Sequence, residues 1–342
     1  MKNILFAFVT GAALLTACSE DSVPEPQSSD SAGQISFSAT APHSSRASST
    51  TTSTLQSFLV YGFTDTSVVM NGVTVTKDGG SWTYSPAVYW PALPVDFYAV
   101  SPDIRKSGDV MSDNSEIIKD MEYGSTDLLY AVTLDQIDTP APVPLTFRHA
   151  MSKVAVMLSS TSEKYKIEVY HVSLNNISLS GNFALPRQNT SDGTAQGTWS
   201  DLSTPNSALL YYDVSGGYTT LSTTPKDITE GNLEASFFVP QKLEPVKFAA
   251  GDTFTGSYLQ IDCVVRDKAT GEKIWPNEYT PKYLLINQSE SGRMVFPLST
   301  PKVTSWLQGY SYVYNVVINS TYSVDTIQFE PVVKDYLQSQ PY

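Results

Sequence analysis

The chain has 342 residues, enough for two domains of ordinary size. Its formal net charge of −13 argues against nucleic-acid binding, because no basic face is available to collect phosphates. Tyrosine is abundant and only 16% of residues are charged, a composition that favours strands and polar loops over helices.

The N-terminus carries the pattern of a bacterial lipoprotein signal. A short basic start precedes an apolar run, residues 4–15, that is too short to span a bilayer. Residues 15–18, Leu-Thr-Ala-Cys, resemble a lipobox, in which small residues admit the signal peptidase and the thiol takes a diacylglycerol. We therefore predict a signal peptide over residues 1–18 and a lipid on Cys18 that anchors the protein without spanning the membrane. The alternative is an ordinary signal peptide with a chance cysteine.

Residues 19–33 predict a flexible tether, because they are rich in Ser, Pro, Glu, Asp and Gln. The acidic pair Glu20-Asp21 follows the lipid cysteine almost directly. This resembles the surface-export signal of Bacteroidia-type lipoproteins and predicts a surface-exposed protein on the outer membrane.

The first structured element is a single strand followed by a polar loop. Residues 34–40 alternate, with Ile35 and Phe37 on one face. The loop over residues 41–54 has one charged residue, Arg46, so the bond from Arg46 to Ala47 is a candidate site for a trypsin-like protease. The alternative is a solvated loop charge.

Short strands separated by turn residues continue to about residue 160 and predict a β-sandwich. Lys77-Asp-Gly-Gly predicts a hairpin turn. The stretch 145–158 fits either a strand with a slip near Ser152 or a helix with one buried face. We interpret it as the closing strand of the first sandwich, with a bend at residues 149–152.

An ordered set of aromatic motifs resembles the fimbrillin family, the subunits of Bacteroidia-type (type V) pili. The set covers most of residues 34–160 and follows the order of the family. It comprises Trp82-x-Tyr84, Tyr89-Trp90-Pro91, Phe97-Tyr98-Ala99 before Pro102, Asp127-Leu-Leu-Tyr-Ala, and Phe147-x-His149-x-x-x-Lys153-Val154.

The resemblance implies an all-β fold of two transthyretin-like β-sandwich domains in tandem, which we assign to residues 34–160 and 161–342. It also implies assembly by strand exchange: a protease cuts at Arg46, the strand 35–39 leaves, and a strand of another pilus subunit fills the groove. An emptied groove exposes unpaired backbone groups, which template strand addition.

The second half repeats the strand pattern and adds no marker of position in the fibre. Residues 165–179, 258–266 and 306–318 alternate between apolar and polar side chains, and so does the tail after residue 326. In stalk subunits of the resembled family the final strands help to form the donor or its groove. The sequence leaves open whether this subunit polymerises, anchors or terminates a fibre.

Motifs for catalysis, metals or cofactors are missing from the sequence. The histidines His43, His149 and His171 have no second ligand at metal spacing, and no phosphate-binding loop or nucleophile elbow occurs. Cys263 lies in an alternating strand, where a buried thiol is the expected interpretation.

The leading hypothesis is therefore a structural or adhesive pilus subunit that is not an enzyme and needs no cofactor. A host or bacterial surface ligand is compatible with this role. The alternative is a glycan-binding surface lipoprotein, suggested by five Trp and 20 Tyr residues that could stack on sugars. A surface hydrolase is the weakest of the three interpretations, because no catalytic pair of carboxylates can be selected.

Overall fold

A computed structural model describes residues 33–41, 53–102, 117–212, 217–229, 236–249, 253–286 and 290–319, and the backbone of 328–335. These segments are almost entirely strands and loops, with one 3₁₀ turn at Lys282–Leu284. Within these ranges no helix has the length and apolar character needed to cross a bilayer.

The strands up to residue 160 are β1 Phe37–Thr40, β2 Ser57–Phe63, β3 Val68–Asp78, β4 Ser81–Thr83, β5 Val95–Ser101, β6 Ile117–Glu122, β7 Leu129–Gln136, β8 Val143–Thr146, β9 Arg148–His149 and β10 Ser152–Ser159. The later strands are β11 Tyr165–Ile177, β12 Ser180–Ala184, β13 Thr198–Ser200, β14 Asn206–Tyr212, β15 Thr219–Thr220, β16 Lys226–Asp227, β17 Phe237–Phe238, β18 Gln241–Lys242, β19 Lys247–Ala249, β20 Thr253–Thr255, β21 Tyr258–Asp267, β22 Lys273–Trp275, β23 Leu285–Ile286, β24 Ser291–Pro297, β25 Ser305–Trp306, β26 Tyr310–Val317 and β27 Gln328–Asp335.

A six-stranded antiparallel sheet, in the order β4-β3-β2-β5-β7-β9, forms one layer of the first half. Strands β2 and β5 are buried along almost their whole length because they occupy the two central positions of this sheet. The predicted hairpin turn lies between β3 and β4, where Gly79 and Gly80 both have positive φ, as the tightest hairpin turns require.

Two sheets, of seven and five strands, dominate the second half. One runs β14-β11-β21-β24-β23, with β15 on β11 and β22 on β21, and its pairs are antiparallel. The other runs β16-β10-β26-β27, with β17 also on β10. Its central pair, β10 and β26, is parallel, with Val156 opposite Tyr314, so it joins strands far apart in the sequence.

The stretch 145–158 forms strands and no helix, so the helical alternative is wrong, but it is not a single closing strand of the first sandwich. It contains the end of β8, all of β9 and most of β10, with breaks at Phe147 and at Ala150 and Met151. Strand β8 pairs with β1 and β9 pairs with β7, whereas β10 pairs with β16, β17 and β26. The stretch therefore carries the chain from the sheets of the first half to a sheet of the second half.

Apart from the buried rings around Phe37, two large buried apolar clusters lie among the described residues. One is centred on β2, β5 and β7 and includes Tyr61, Val100 and Tyr130. The other fills the space between the two large sheets of the second half and includes Ile261 and Trp306. Side chains from after residue 180 also join the first cluster, as the ring contact between Tyr130 and Phe183 shows, with centroids 5.0 Å apart.

The prediction of an all-β fold is therefore confirmed. The domain limits at residues 160 and 161 stay a prediction, because all described residues belong to one unit that begins at Gly33.

Candidate functional site

The residues predicted for processing, Cys18, Arg46 and Ala47, lie outside the described residues. The structure describes the first strand as far as Ala41 and the chain again from Ser53. Of the predicted site, the seat of the first strand lies within the described residues.

Backbone hydrogen bonds hold the first strand from two sides. On one side β1 pairs in parallel with β8, with Phe37 opposite Val143. The amides of Val143 and Phe147 donate to the carbonyls of Ser36 and Thr40 at 2.8 and 2.7 Å. On the other side the amide of Ile35 donates to the carbonyl of Val88 at 3.0 Å. The segment 33–41 is therefore inserted between two partners.

The side chains of this segment alternate between the protein interior and solvent. Ile35, Phe37 and Ala41 are buried, whereas Ser36 and Ser38 are exposed. This is the period-2 pattern of a strand with one face against a core, as the sequence predicted.

Aromatic rings line the slot that receives these side chains. The Phe37 ring has its centroid 5.5 Å from that of Phe97 and 6.5 Å from that of Phe58, both edge to face. Behind them, Phe58 packs on Phe147 at 5.2 Å and Trp90 packs on Phe97 at 5.8 Å. Such edge-to-face contacts are favourable beyond the area that they bury. The slot can hold an extended strand that presents a large apolar side chain at alternate positions.

Two polar contacts fix the start of the segment. The hydroxyl of Tyr84 donates to the carbonyl of Ile35 at 2.6 Å, and the amide of Gly33 donates to Oδ2 of Asp138 at 3.1 Å. Burial raises the pKa of Tyr84, so its hydroxyl stays protonated and remains a donor at neutral pH.

His149 and Arg148, which suggested a site on sequence grounds, have structural roles. His149 is fully buried, and its Nδ1 contacts Oδ2 of Asp127. Arg148 donates from Nε, Nη1 and Nη2 to the carbonyls of Thr190, Ala195 and Gly193. A histidine enclosed in this way cannot contact a dissolved substrate.

His171 also has an aspartate beside it, which sequence spacing could not reveal. Its Nδ1 lies 3.3 Å from Oδ2 of Asp262, on the neighbouring strand β21. Burial lowers the pKa of His171, although the Asp262 charge opposes this, so the ring is neutral at pH 7. The only sequence signal is the alternation of β11 and β21, which does not specify their register.

Metal ligands do not cluster within the part of the chain that the structure describes. Cys263 is a free, fully buried thiol, as predicted, and burial raises its pKa. It is therefore protonated and unreactive at neutral pH.

Comparison with known proteins supports the family that the sequence motifs resemble. A family model described as fimbrillin-like matches residues 45–335. A fimbrial protein from Bacteroides vulgatus has 15% sequence identity and a TM-score of 0.54, with 89% of this chain and 99% of that chain covered. A fimbrilin from Porphyromonas gingivalis W83 has 10% identity and a TM-score of 0.45, with 90% and 98% covered. No curated protein sequence matches.

Proposed function

Because the chain belongs to the fimbrillin-like family, we propose that it is a structural or adhesive subunit of a cell-surface pilus that assembles by strand exchange. In this proposal the subunit reaches the outer membrane with a lipid on Cys18. A protease then cuts between Arg46 and Ala47, the segment that contains β1 leaves, and a strand of another subunit takes its place. The function needs no catalysis by the subunit itself.

The seat of β1 is the observation that carries the proposal. Once the chain is cut at Arg46, only noncovalent contacts hold the strand. Its departure would free the amides of Val143 and Phe147 and the carbonyl of Val88, and would open the aromatic slot. Unpaired backbone groups beside an apolar slot favour addition of a strand, because hydrogen bonds supply affinity and alternate side chains supply specificity.

The register of β1 also defines what can replace it. An incoming strand must run parallel to β8 to reproduce the pairing of Phe37 with Val143. It must also carry apolar side chains at the positions of Ile35 and Phe37, while the positions of Ser36 and Ser38 can be polar. Another subunit of the same pilus is the proposed donor.

Proteolysis of the purified full chain tests the proposal. We expect an arginine-specific protease to produce a new N-terminus at Ala47 and a ladder of polymers on unheated gels. Arg46→Ala should abolish both. Arg187→Ala, which removes an arginine with an exposed side chain elsewhere in the chain, should change neither. Cleavage at Arg46 without polymers, or an Arg46 that is never cut in cells, would contradict the proposal.

A further inference from the structure

A groove lies on the outer face of the β14-β11-β21-β24-β23 sheet, and it shares no lining residue with the seat of β1. Its volume is about 690 Å³, and its walls include Tyr170, His171, Tyr212, Asp262, Arg266 and Lys273. This volume lies within the range of small-molecule sites, roughly 300–1,000 Å³.

A β-bulge creates the floor of the groove. Val169 pairs with Cys263 and His171 pairs with Asp262, so Tyr170 is an extra residue in β11. Val169 and Val172 both point into the core. Tyr170 and His171 therefore both project to the outer face, which a regular strand would not allow for consecutive residues.

Polar groups on the floor are held in place but are not all satisfied. Asp262 is almost fully buried, and its Oδ1 accepts a hydrogen bond from Gln260 at 2.9 Å. Nδ1 of His171, which lines the groove, is buried, and its 3.3 Å contact with Oδ2 of Asp262 does not have hydrogen-bond geometry. A buried donor or acceptor of this kind is unfavourable until a ligand or water satisfies it.

The aromatic wall is already positioned for a ligand. Tyr170 and Tyr212 line the groove, and Tyr212 is 46% exposed. The ring of Tyr218, which is not a lining residue, packs on that of Tyr170 with centroids 5.4 Å apart. Oε2 of Glu168 accepts hydrogen bonds from the Tyr170 hydroxyl at 3.3 Å and from Nε of Arg266 at 2.9 Å. Lys166 lies over the Tyr218 ring, 4.8 Å from its centroid. Because these contacts restrain the Tyr170 ring in advance, its side chain loses little conformational entropy on binding.

The charges that line the groove balance. Among the lining side chains, Arg266 and Lys273 are cationic and Asp262 and Glu290 are anionic, although burial raises the pKa of Asp262, and the His171 ring is neutral at pH 7. A groove with no excess of positive or negative charge does not favour an anionic or a cationic ligand. It suits a neutral ligand with apolar faces and many hydroxyl groups.

We propose that this groove binds an uncharged oligosaccharide. The tyrosine rings pack against the apolar faces of the sugar rings, the Asp262 carboxylate accepts hydrogen bonds from hydroxyl groups, and Arg266 and Lys273 donate to ring and hydroxyl oxygens. The tryptophans do not line this groove. Trp90, Trp275 and Trp306 are buried, Trp82 packs on the Phe58 ring, and Trp199 donates from its ring nitrogen to the carbonyl of Ala150.

Binding of the full chain to an array of neutral mucin, plant and bacterial oligosaccharides tests the proposal, with sialylated and sulfated counterparts on the same array. We expect saturable binding to at least one neutral oligosaccharide. Tyr170→Ala and Asp262→Asn should each weaken it about tenfold, a change of ~1.4 kcal/mol. Tyr170→Phe, which keeps the ring, should retain most of the affinity.

Tyr89→Ala is the matched control, because Tyr89 is 60% exposed and does not line the groove. It should leave affinity unchanged, and equal melting temperatures should show that every variant folds. The proposal is overturned if no neutral oligosaccharide binds, if only charged ones bind, or if the groove variants bind as well as Tyr89→Ala. The groove and the β1 slot lie on different sheets, so these results are independent of polymer formation.

Discussion

Glu168 is a nearly fully buried carboxylate on the outer face of β11. Lys166 Nζ donates to its Oε1 at 2.8 Å, and Arg266 Nε donates to its Oε2 at 2.9 Å. Burial alone would raise the pKa of this carboxyl, but the hydrogen bonds and charges of Lys166 and Arg266 outweigh it, so the pKa lies below its ordinary value.

The sign of this shift predicts a pH dependence of stability. Because the folded pKa is depressed, the carboxylate stabilises the fold fully above its unfolded pKa of about 4.3, and this contribution is lost as the pH falls through the folded value. At about pH 7 we expect Glu168→Gln to lower the free energy of unfolding by about 1–2 kcal/mol. The difference from the unmodified chain should shrink towards about pH 3.

Urea unfolding at the two pH values measures this effect. Glu244→Gln is the control, since Glu244 forms an ion pair with Lys242 but is 61% exposed, and such pairs contribute little. A Glu168→Gln difference that is the same at both pH values would contradict the role assigned to the carboxylate.

At the scale of elements, the first strand is short but makes many contacts. Its backbone bonds to residues on both sides, and Phe37 places one large ring among Phe58, Tyr84 and Phe97. The stability of this seat therefore depends on one side chain more than on the others.

Phe37→Ala should loosen the first strand. Removing a buried phenylalanine leaves a cavity and costs about 3–5 kcal/mol. We expect a lower urea midpoint for the full chain and faster loss of the strand after cleavage at Arg46. Ser38→Ala, at the adjacent exposed position, should behave like the unmodified chain. Equal release rates for the two variants would show that the aromatic slot does not retain the strand.

The bulge at Tyr170 is a second case in which one element decides the chemistry of a surface. Without it, Tyr170 and His171 would face opposite sides of the sheet. The alternation of β11 in the sequence changes phase between Val169 and Val172, which signals an irregularity. The sequence does not show that the neighbouring strand places Asp262 beside His171.

At the scale of the whole molecule, the proposed route to the surface depends on the two cysteines having different fates. Cys263 is buried in the core, whereas Cys18 is the last residue of the predicted lipobox, Leu-Thr-Ala-Cys. Only a cysteine that the export machinery can reach can be acylated.

Cys18→Ala should therefore abolish lipidation and move the protein out of the membrane fraction. Metabolic labelling with a fatty acid and the mass of the mature N-terminus measure this. Cys263→Ala should leave labelling unchanged, because its thiol is enclosed. Unchanged membrane partitioning of the Cys18→Ala variant would contradict the predicted anchor.

Several features of this protein follow from local sequence alone. Alternating side chains predict strands because one face of each must be buried, and Ile35 and Phe37 lie on the inner face as expected. Gly79 and Gly80 predict the hairpin between β3 and β4 because only residues that tolerate positive φ fit that turn. The order of the aromatic motifs was enough to indicate the family.

The tertiary structure decided what depends on contacts between distant residues. It showed that β8 and β9 pair with strands of the first half while β10 pairs in parallel with β26. In the tertiary structure His149, which the sequence suggested as a possible functional site, is fully buried, and Asp262 lies beside His171. Periodicity specifies which face of a strand is buried, but pairing and register are set by packing across the whole chain, so these features could not be predicted from local pattern.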